Sequence, residues 1–344
     1  MTVKQILIHM IKNREISIYK TFNFAYGYLN YLFKLPSVKN YPSILMFEPT
    51  NLCNLKCPLC PTGNNSLKAT KGYLEFENYK KVIDQIGKYL LNLTLWNFGE
   101  PFLNKEIYNM ISYASRMKIF VRISTNGHFL ENEENIVNLI NSGVDNLIIA
   151  LDGASQKTFS KYRENGNFDK VIKNIERITL LKTKLKKQKP FIEIQFIVMK
   201  HNEHEVPLMK DLASKLKVNQ VKIKTVNIEM DLSKDIKGMA NSYLPKSKKY
   251  TRNERDKKKK QRMKSRCKRL WLSSVINWDG SVVACCYDPN RIYYLGNAFE
   301  DGFMKVWNNN KYQDFRRLLA KQKSNIAMCK NCTGNLMGLD IDNN

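Results

Sequence analysis

The chain is short of acidic residues and has no long apolar run. Its 344 residues contain 31 Asp and Glu against 57 Lys and Arg, which gives a formal net charge of +26. No stretch reaches the ~18 apolar residues that a transmembrane helix needs. Residues 1–12 are interrupted by charge and lack a small-residue cleavage site, which is not typical of a signal peptide. We therefore expect a cytoplasmic protein with anionic partners.

Two further absences narrow the function. No RNA-binding fold is recognisable, so we expect no specific nucleic-acid partner despite the positive charge. The eight cysteines are grouped in short motifs rather than spread as an even framework of pairs. This grouping is typical of metal binding in a reducing compartment, not of disulfides.

The first cysteine motif is Cys53-x3-Cys57-x2-Cys60, directly after a predicted strand at 43–47. Three thiolates at this spacing can hold three corners of a cubane iron–sulfur cluster and leave the fourth iron open. Clusters that only carry electrons normally have four cysteine ligands, so an open iron indicates chemistry there. A zinc knuckle or chance is the alternative, although zinc sites usually pair two C-x2-C units.

The residues around this motif resemble the radical S-adenosylmethionine (SAM) superfamily, over most of the chain. Residues 96–101, Trp-Asn-Phe-Gly-Glu-Pro, are similar to the family segment whose acidic residue holds the methionine amino group, which implies that role for Glu100. A Tyr-Arg pair implies that Arg163 reaches the methionine carboxylate. Ala150 stands where the family often has a ribose-binding serine, so the resemblance leaves that contact to Ser124 or Asn126.

The same residues suit the cofactor chemically. The amino-acid end of SAM presents an ammonium, which suits Glu100, and a carboxylate, which suits the planar fork of Arg163. All of them follow predicted strands, and an α/β barrel has its active site at the carboxyl ends of its strands. Taken singly, each has an ordinary explanation as a turn or a surface charge. Together and in this order they favour a site.

Six predicted strands alternate with helices along residues 43–235. This alternation indicates a parallel sheet, and we predict an α/β fold built on a partial (β/α)6 TIM-like barrel with an open side. We expect three further regions around it, namely an aromatic and basic helical segment at 1–42, a basic linker at 236–266 and a small cysteine-rich iron–sulfur domain at 267–344.

The cysteines of the last region resemble the SPASM extension, which holds auxiliary iron–sulfur clusters. A full version has seven cysteines and two clusters, but Gly338 stands where a further cysteine is expected. The count implies one auxiliary [4Fe–4S] cluster, with the ligands Cys267, Cys285, Cys329 and Cys332. Cys286 is not needed in this set of four ligands. Three roles stay open for it: a small buried residue, a ligand in place of Cys285 or, more weakly, a catalytic hydrogen-atom donor. Structural zinc also suits four such cysteines.

Two basic segments each allow two interpretations. Residues 246–269 hold fourteen Lys and Arg against Glu254 and Asp256, which indicates a solvated linker or a flap over an anionic substrate. Residues 16–41 are rich in Tyr and Phe, and Glu15 is the only acid in residues 1–42. These residues form either helices packed across the barrel or an amphipathic segment at an acidic membrane surface.

The resemblance implies a radical enzyme. A [4Fe–4S] cluster on Cys53, Cys57 and Cys60 would bind SAM, take an electron from flavodoxin or ferredoxin, and generate a 5′-deoxyadenosyl radical that abstracts hydrogen from an unactivated C–H bond. A fully ligated auxiliary cluster favours oxidation of a small anionic substrate, such as a nucleotide- or lipid-linked sugar. A peptide maturase is the alternative. A non-catalytic iron–sulfur electron carrier or nucleic-acid-binding protein is a third hypothesis, and an open iron beside a methionine-binding shell argues against it.

Overall fold

The computed structural model describes residues 1, 3–226, 234–250, 267–329 and 332. Nine strands form one sheet, and helices cover its outer face. The strands are β1 Ile44–Phe47, β2 Asn92–Thr94, β3 Phe120–Thr125, β4 Asn146–Ala150, β5 Phe191–Val198, β6 Gln220–Thr225, β7 Ser273–Ile276, β8 Ser281–Val283 and β9 Tyr294–Asn297. The helices are α1 Val3–Lys12, α2 Ile18–Leu32, α3 Phe76–Ile86, α4 Ile107–Arg116, α5 Glu133–Asn141, α6 Gln156–Phe159, α7 Phe168–Lys184, α8 Val206–Lys215, α9 Lys234–Tyr243, α10 Arg269–Leu272, α11 Phe303–Trp307 and α12 Asn310–Gln322.

Strands β1 to β6 are parallel neighbours in chain order. Because side chains alternate along a strand, one face of this sheet packs against the helices and the other lines the barrel lumen. Residues such as Leu45, Ile123 and Ile149 are fully buried in the core beneath the helices. The expected fold, a partial (β/α)6 TIM-like barrel followed by a small cysteine-rich region, is confirmed.

The C-terminal region continues the barrel sheet rather than standing apart from it. Strand β7 pairs in parallel with β1, with Ile44 opposite Ser273. A turn at Asp279-Gly280 then leads into the antiparallel β8 and β9. Gly280 has φ +83°, and a Cβ there would meet Phe299 and Asn297 at about 2.4–2.5 Å, so the turn requires glycine.

Buried polar contacts fasten this region to the N-terminal segment. The indole N–H groups of Trp271 and Trp307 donate to the carbonyls of Leu35 and Asn40. The fully buried Arg316 donates to three carbonyl oxygens, including that of Pro36. Removing the Trp307 or the Arg316 donor would leave a buried carbonyl without that partner.

The N-terminal helices pack against the barrel. In α1, Ile6 and Met10 lie against Phe120 at the amino ends of the strands. His9 Nε2 lies 2.9 Å from Asp145 Oδ1, and Lys189 pairs with Asp145 and with Glu15. These contacts close the amino end of the barrel.

Helix α4 begins at Ile107, after a turn held by the buried Asn104. The side-chain amide of Asn104 donates to the carbonyls of Pro49 and Leu74, and its Oδ1 accepts from the Glu106 amide at 2.9 Å. The segment expected as a linker contains α9, whose Ala240 is buried in a cluster with the cysteine loop at Cys57. The most basic stretch, 251–266, and Gly338 lie outside the described residues. No described helix is both long enough and apolar enough to cross a bilayer.

Candidate active site

The three cysteines of the first motif lie in the loop that follows β1, at the carboxyl edge of the sheet. Cys57 is buried, while Cys53 and Cys60 are half-buried. All three line one cavity of about 220 Å³. The other walls of this cavity include Trp96, Gly99, Glu100, Ser124, Asn126, Ala150, Arg163 and Gln195. The fold therefore brings together every site residue that the sequence predicted for the radical centre.

Close backbone packing shapes the cysteine loop. The amide of Glu100 donates to the carbonyl of Leu52 at 2.7 Å. Gly99 has φ +89°, and a Cβ there would lie 2.4 Å from the Thr50 oxygen. Gly63 packs equally closely, with a Cβ position 2.5 Å from the Cys57 nitrogen. Only glycine allows the loop to approach these backbones.

Glu100 is buried and accepts only from neutral donors in the described structure. Its carboxylate accepts from the Thr125 hydroxyl and the Asn126 amide, both at 2.7 Å, and from the Phe102 amide at 3.2 Å. Burial raises the pKa of Glu100 to about 7, although these hydrogen bonds lower it. A ligand ammonium beside this carboxylate would favour its charged form.

Arg163 is held by a partner that the sequence did not predict. Its Nε and Nη2 lie 2.7 and 2.6 Å from Asp152 Oδ2, and its Nη1 lies 3.7 Å from the sulfur of Cys57. Burial opposes the charge, but Asp152 and Cys57 outweigh it and raise the pKa of Arg163 above its usual range. The guanidinium is thereby oriented toward the cysteine loop. Asp152 lies two residues after the end of β4.

The two ribose candidates differ in their surroundings. Asn126 Nδ2 donates to Asn54 Oδ1 at 2.7 Å and lies 3.8 Å from the sulfur of Cys53, so this side chain holds the cysteine loop. Ser124 lines the cavity two residues before Asn126, on the lumen-facing side of β3. Ser124 is therefore the better placed of the two to meet a ligand hydroxyl.

Cations lie behind two walls of the cavity. The guanidinium of Arg122 is 5.7 Å from the Trp96 ring, and the ammonium of Lys224 donates to Gln195. Sequence reasoning missed both cations. The available signal was the position of each basic residue in its strand. Arg122 in β3 and Lys224 in β6 alternate with core-facing residues, so their side chains lie in the lumen.

The C-terminal cysteines form a second group, and they pack on the apolar core. Cys267, Cys285 and Cys329 contact the main hydrophobic cluster. Burial and the neighbouring thiols raise the pKa of Cys267 to about 11, although the nearby Arg269 lowers it. The amide of Cys332 donates to the Cys329 carbonyl at 3.1 Å, as Cys60 does to Cys57 in the first loop.

Cys285 is an electrostatic neighbour of Cys267 and Cys329, whereas Cys286 is one of Cys332. Both Cys267 and Cys329 have Cys285 and Cys332 as electrostatic neighbours. Cys286 is hydrogen-bonded to Cys285 and lies beside Arg269. This arrangement favours the four-cysteine set with Cys285 in it.

The spacing of the sulfurs tests the choice of metal. None of the eight cysteines forms a disulfide. Within the described residues, no three cysteine sulfurs lie within 4.8 Å of one another. Tetrahedral zinc, with bonds of ~2.3 Å, would draw its sulfurs to ~3.8 Å. The described sulfurs thus do not lie at the spacing of a tetrahedral zinc site.

Comparison with protein families agrees with this geometry. Residues 47–213 match the radical SAM superfamily, and residues 267–333 match the SPASM family, an iron-sulfur cluster-binding domain. The first match covers the cysteine loop, Glu100 and Arg163, and the second covers the C-terminal cysteines.

Curated relatives share part of this chain. The Fe-coproporphyrin III synthase of Methanosarcina barkeri is 25% identical over 194 residues, which are 55% of this chain and 46% of that protein. The mycofactocin maturase MftC of Mycolicibacterium smegmatis is 27% identical over 138 residues, which are 40% of this chain and 34% of that protein. The matches thus span less than half the length of these relatives.

Solved structures share the fold. SuiB of Streptococcus suis, bound to S-adenosylmethionine, superposes with a TM-score of 0.59 at 17% identity, over 83% of this chain and 70% of that one. BtrN, in complex with AdoMet and 2-DOIA, superposes with a TM-score of 0.53 at 19% identity, over 87% and 95%. The chain belongs to the radical SAM superfamily, with a C-terminal SPASM domain, and its cofactors are SAM, a SAM-binding [4Fe–4S] cluster and an auxiliary iron–sulfur cluster.

Proposed function

We propose that this radical SAM enzyme oxidises a small anionic substrate held at the mouth of the barrel. The observation that carries the proposal is the basic lumen behind the cavity. Arg122 and Lys224 contact Trp96 and Gln195, which are two of the residues that line the cavity. An anionic group entering past these walls would meet positive charge in a region screened from water.

The strand register adds a third cation to this lumen. Lys222 lies opposite Gln195 in the β5–β6 ladder and is buried. Glu193, one pleat deeper on β5, is the only acid among the described lumen-facing positions of β3 to β6. Together with the N-terminal ammonium of Met1, which pairs with Glu193, these three cations favour an anion over a neutral or cationic substrate.

The residues of the site have separate tasks in this proposal. Cys53, Cys57 and Cys60 hold the cluster, Glu100 binds the SAM ammonium, and the edge of Arg163 that Asp152 leaves open binds the carboxylate. Ser124 binds a ribose hydroxyl, and Asn126 holds the cysteine loop in place. When bound, the cluster and SAM supply a 5′-deoxyadenosyl radical able to take hydrogen from an unactivated C–H bond. The protein contributes orientation and exclusion of water.

The C-terminal cysteines support the oxidative part of the proposal. Four cysteine ligands leave a cluster with no open iron, which suits electron transfer rather than substrate binding. An enzyme that removes a hydrogen atom and then an electron needs such an acceptor. We propose Cys267, Cys285, Cys329 and Cys332 as its ligands, and flavodoxin or ferredoxin as the reductant for the first cluster.

Peptide maturation is the second candidate, because mycofactocin maturases are among the relatives. SuiB has also been solved with its precursor peptide SuiA, and that structure superposes here with a TM-score of 0.60. A peptide substrate would need an acidic side chain or terminus to use the same basic lumen. The two candidates therefore differ in substrate size rather than in the site.

The test uses the anaerobically reconstituted holoenzyme with SAM and dithionite. We expect 5′-deoxyadenosine to form. Its yield should rise when the low-molecular-mass fraction of a cell extract that an anion exchanger retains is added. A product that lacks two hydrogens relative to its substrate should appear with it. Lys224→Gln should raise KM for that fraction, whereas the exposed Lys210→Gln should not. A response confined to the peptide fraction would replace the small-anion proposal, and no 5′-deoxyadenosine from intact clusters would remove both.

A further inference from the structure

Helix α2 has its polar and apolar faces reversed. Its buried residues are Lys20, Asn23, Gly27 and Asn30. Its outward stripe consists of Ile18, Tyr19, Phe22, Tyr26 and Leu29, continued by Phe33 just beyond the helix, and every one of these side chains is exposed. A surface helix of a globular protein normally has the opposite arrangement.

The reversal follows from specific packing and is not a frayed helix. Asn23 donates to the Tyr41 carbonyl and accepts from the Tyr41 amide at 2.8 Å. Asn30 donates to Asn40 at 2.8 Å, and Lys20 donates to the Lys118 carbonyl. Each buried polar group thus has a partner that fixes the rotation of the helix. The same rotation directs the aromatic stripe outward.

The outward stripe is part of one continuous apolar surface. A groove of about 840 Å³ runs along α2 and is lined by Ile18, Tyr19, Phe22, Ala25, Tyr26 and Leu29, with Tyr41 and Tyr89 opposite. Of the twenty large hydrophobic side chains that the described residues leave exposed, twelve lie between Leu7 and Leu35. Contiguous apolar surface of this kind marks an interaction site. We call the surface formed by the stripe and groove the aromatic face.

The rim of the aromatic face is basic. Lys39 lines the groove, and the ammonium of Lys88 lies 3.7 Å from the ring centroid of Tyr19. Lys34 adjoins Phe33. In residues 1–42 the only acid is Glu15, which is buried and paired with Lys189. The segment therefore presents aromatic and cationic groups to the outside and no carboxylate of its own.

We propose that the aromatic face docks on an anionic phospholipid bilayer, with the α2 stripe in the interfacial layer and the lysine rim at the headgroups. Tyrosine and phenylalanine rings beside lysines suit that layer, where the apolar faces of the rings and the charged rim are both accommodated. Association with a second copy of this chain would bring two basic rims together. Charge thus separates the two possible occupants. The proposal does not depend on the substrate.

The experiment is flotation of the reconstituted full chain with two kinds of vesicle. One is phosphatidylcholine alone, and the other is an equimolar mixture of phosphatidylcholine and phosphatidylglycerol. We expect binding to the mixed vesicles that falls as salt rises. Lys39→Gln with Lys88→Gln should lower the partition coefficient about 25-fold, since each basic residue near such a surface contributes about 1 kcal/mol. Phe22→Gln should lower it about tenfold through lost apolar burial.

Matched control variants separate the aromatic face from general effects. Leu180 on α7 is exposed to the same 68% as Phe22, so Leu180→Gln removes an equally exposed apolar side chain elsewhere. Lys173→Gln with Lys210→Gln removes the same net charge from other helices. We expect neither control to change vesicle binding, and all variants to unfold at the wild-type temperature.

Three outcomes would overturn the proposal. One is the absence of binding to the mixed vesicles. Another is that Phe22→Gln and Leu180→Gln weaken vesicle binding equally, or that the two double lysine variants weaken it equally. The third is a dimer in vesicle-free buffer that Phe22→Gln dissociates, because the aromatic face would then be an interface between two copies of the chain.

Discussion

The two cysteine groups of this protein differ in what surrounds them. Around Cys53, Cys57 and Cys60 there is a cavity with polar walls, including Glu100 and Arg163. Around the C-terminal group there is apolar core, and Cys267, Cys285 and Cys329 pack on it. Three ligands beside a cavity would make an open site that can bind a molecule, and the four proposed C-terminal ligands would make a closed site suited to electrons. Ligand number and packing thus give the same division of labour.

The largest expected effect removes the open site alone. Substituting Cys53, Cys57 and Cys60 together by Ala should abolish SAM cleavage and lower iron from about eight to about four atoms per chain. Iron and sulfide analysis with 5′-deoxyadenosine detection measures both. Cleavage by this variant would contradict the assignment of the loop.

The converse change removes the closed site. Cys285→Ala should also lower iron toward about four atoms per chain but leave SAM cleavage in place, since the cavity is untouched. Cys286→Ala is the matched control and should keep the full iron content. If the two variants exchange these results, Cys286 is the ligand. Zinc in the wild-type chain would end the idea of an auxiliary cluster.

Arg163→Lys tests the ligand-binding wall of the open site. A lysine supplies a point charge but not the planar fork that spans Asp152 and a ligand carboxylate. Loss of a charge-assisted bond costs roughly 1.5–3 kcal/mol, so SAM should bind about ten- to hundredfold more weakly in equilibrium titration. Arg269→Lys, beside the closed site, should leave SAM affinity unchanged. An unchanged dissociation constant in Arg163→Lys would remove this residue from the site.

The affinity for SAM should depend on pH through Glu100. Burial raises the pKa of this carboxyl to about 7 in the free enzyme. Because only the ionised form pairs with an ammonium, affinity should rise by up to about tenfold per pH unit below pH 7 and level off above it. Glu100→Gln should bind weakly and lose that dependence. A flat profile in the wild type would assign the ammonium to another group.

The smallest expected effect separates the two ribose candidates. Ser124→Ala should weaken SAM binding about fivefold, the value of one neutral hydrogen bond of about 1 kcal/mol. Asn126→Ala should act differently, because its amide holds Asn54 beside Cys53. We expect that variant to lose cluster iron during purification. A loss of affinity without loss of iron in Asn126→Ala would give it the ribose contact.

Local signals predicted the open site well, since most of its residues lie at or just after the carboxyl ends of strands and parallel strands end at one edge. The cysteine spacing, the Gly-Glu-Pro segment and the Tyr-Arg pair needed no long-range information. The contact partners of these residues could not be predicted from such local signals. Asp152 contacts Arg163 across 11 positions, and Asn54 contacts Asn126 across 72. Such pairs depend on how the strand ends are arranged in space, and no local pattern encodes that.

The sequence by itself determined the barrel, the two cysteine groups and the family, because strand periodicity and metal-ligand spacing are local properties of the chain. Only the tertiary structure decided that β7 extends the barrel sheet beside β1, that Arg122 and Lys224 back the cavity, and that α2 buries its asparagines. The physical reason is that burial is a property of neighbours. An asparagine with two buried partners packs inside, and the aromatic residues on the other side of the same helix are then left outside.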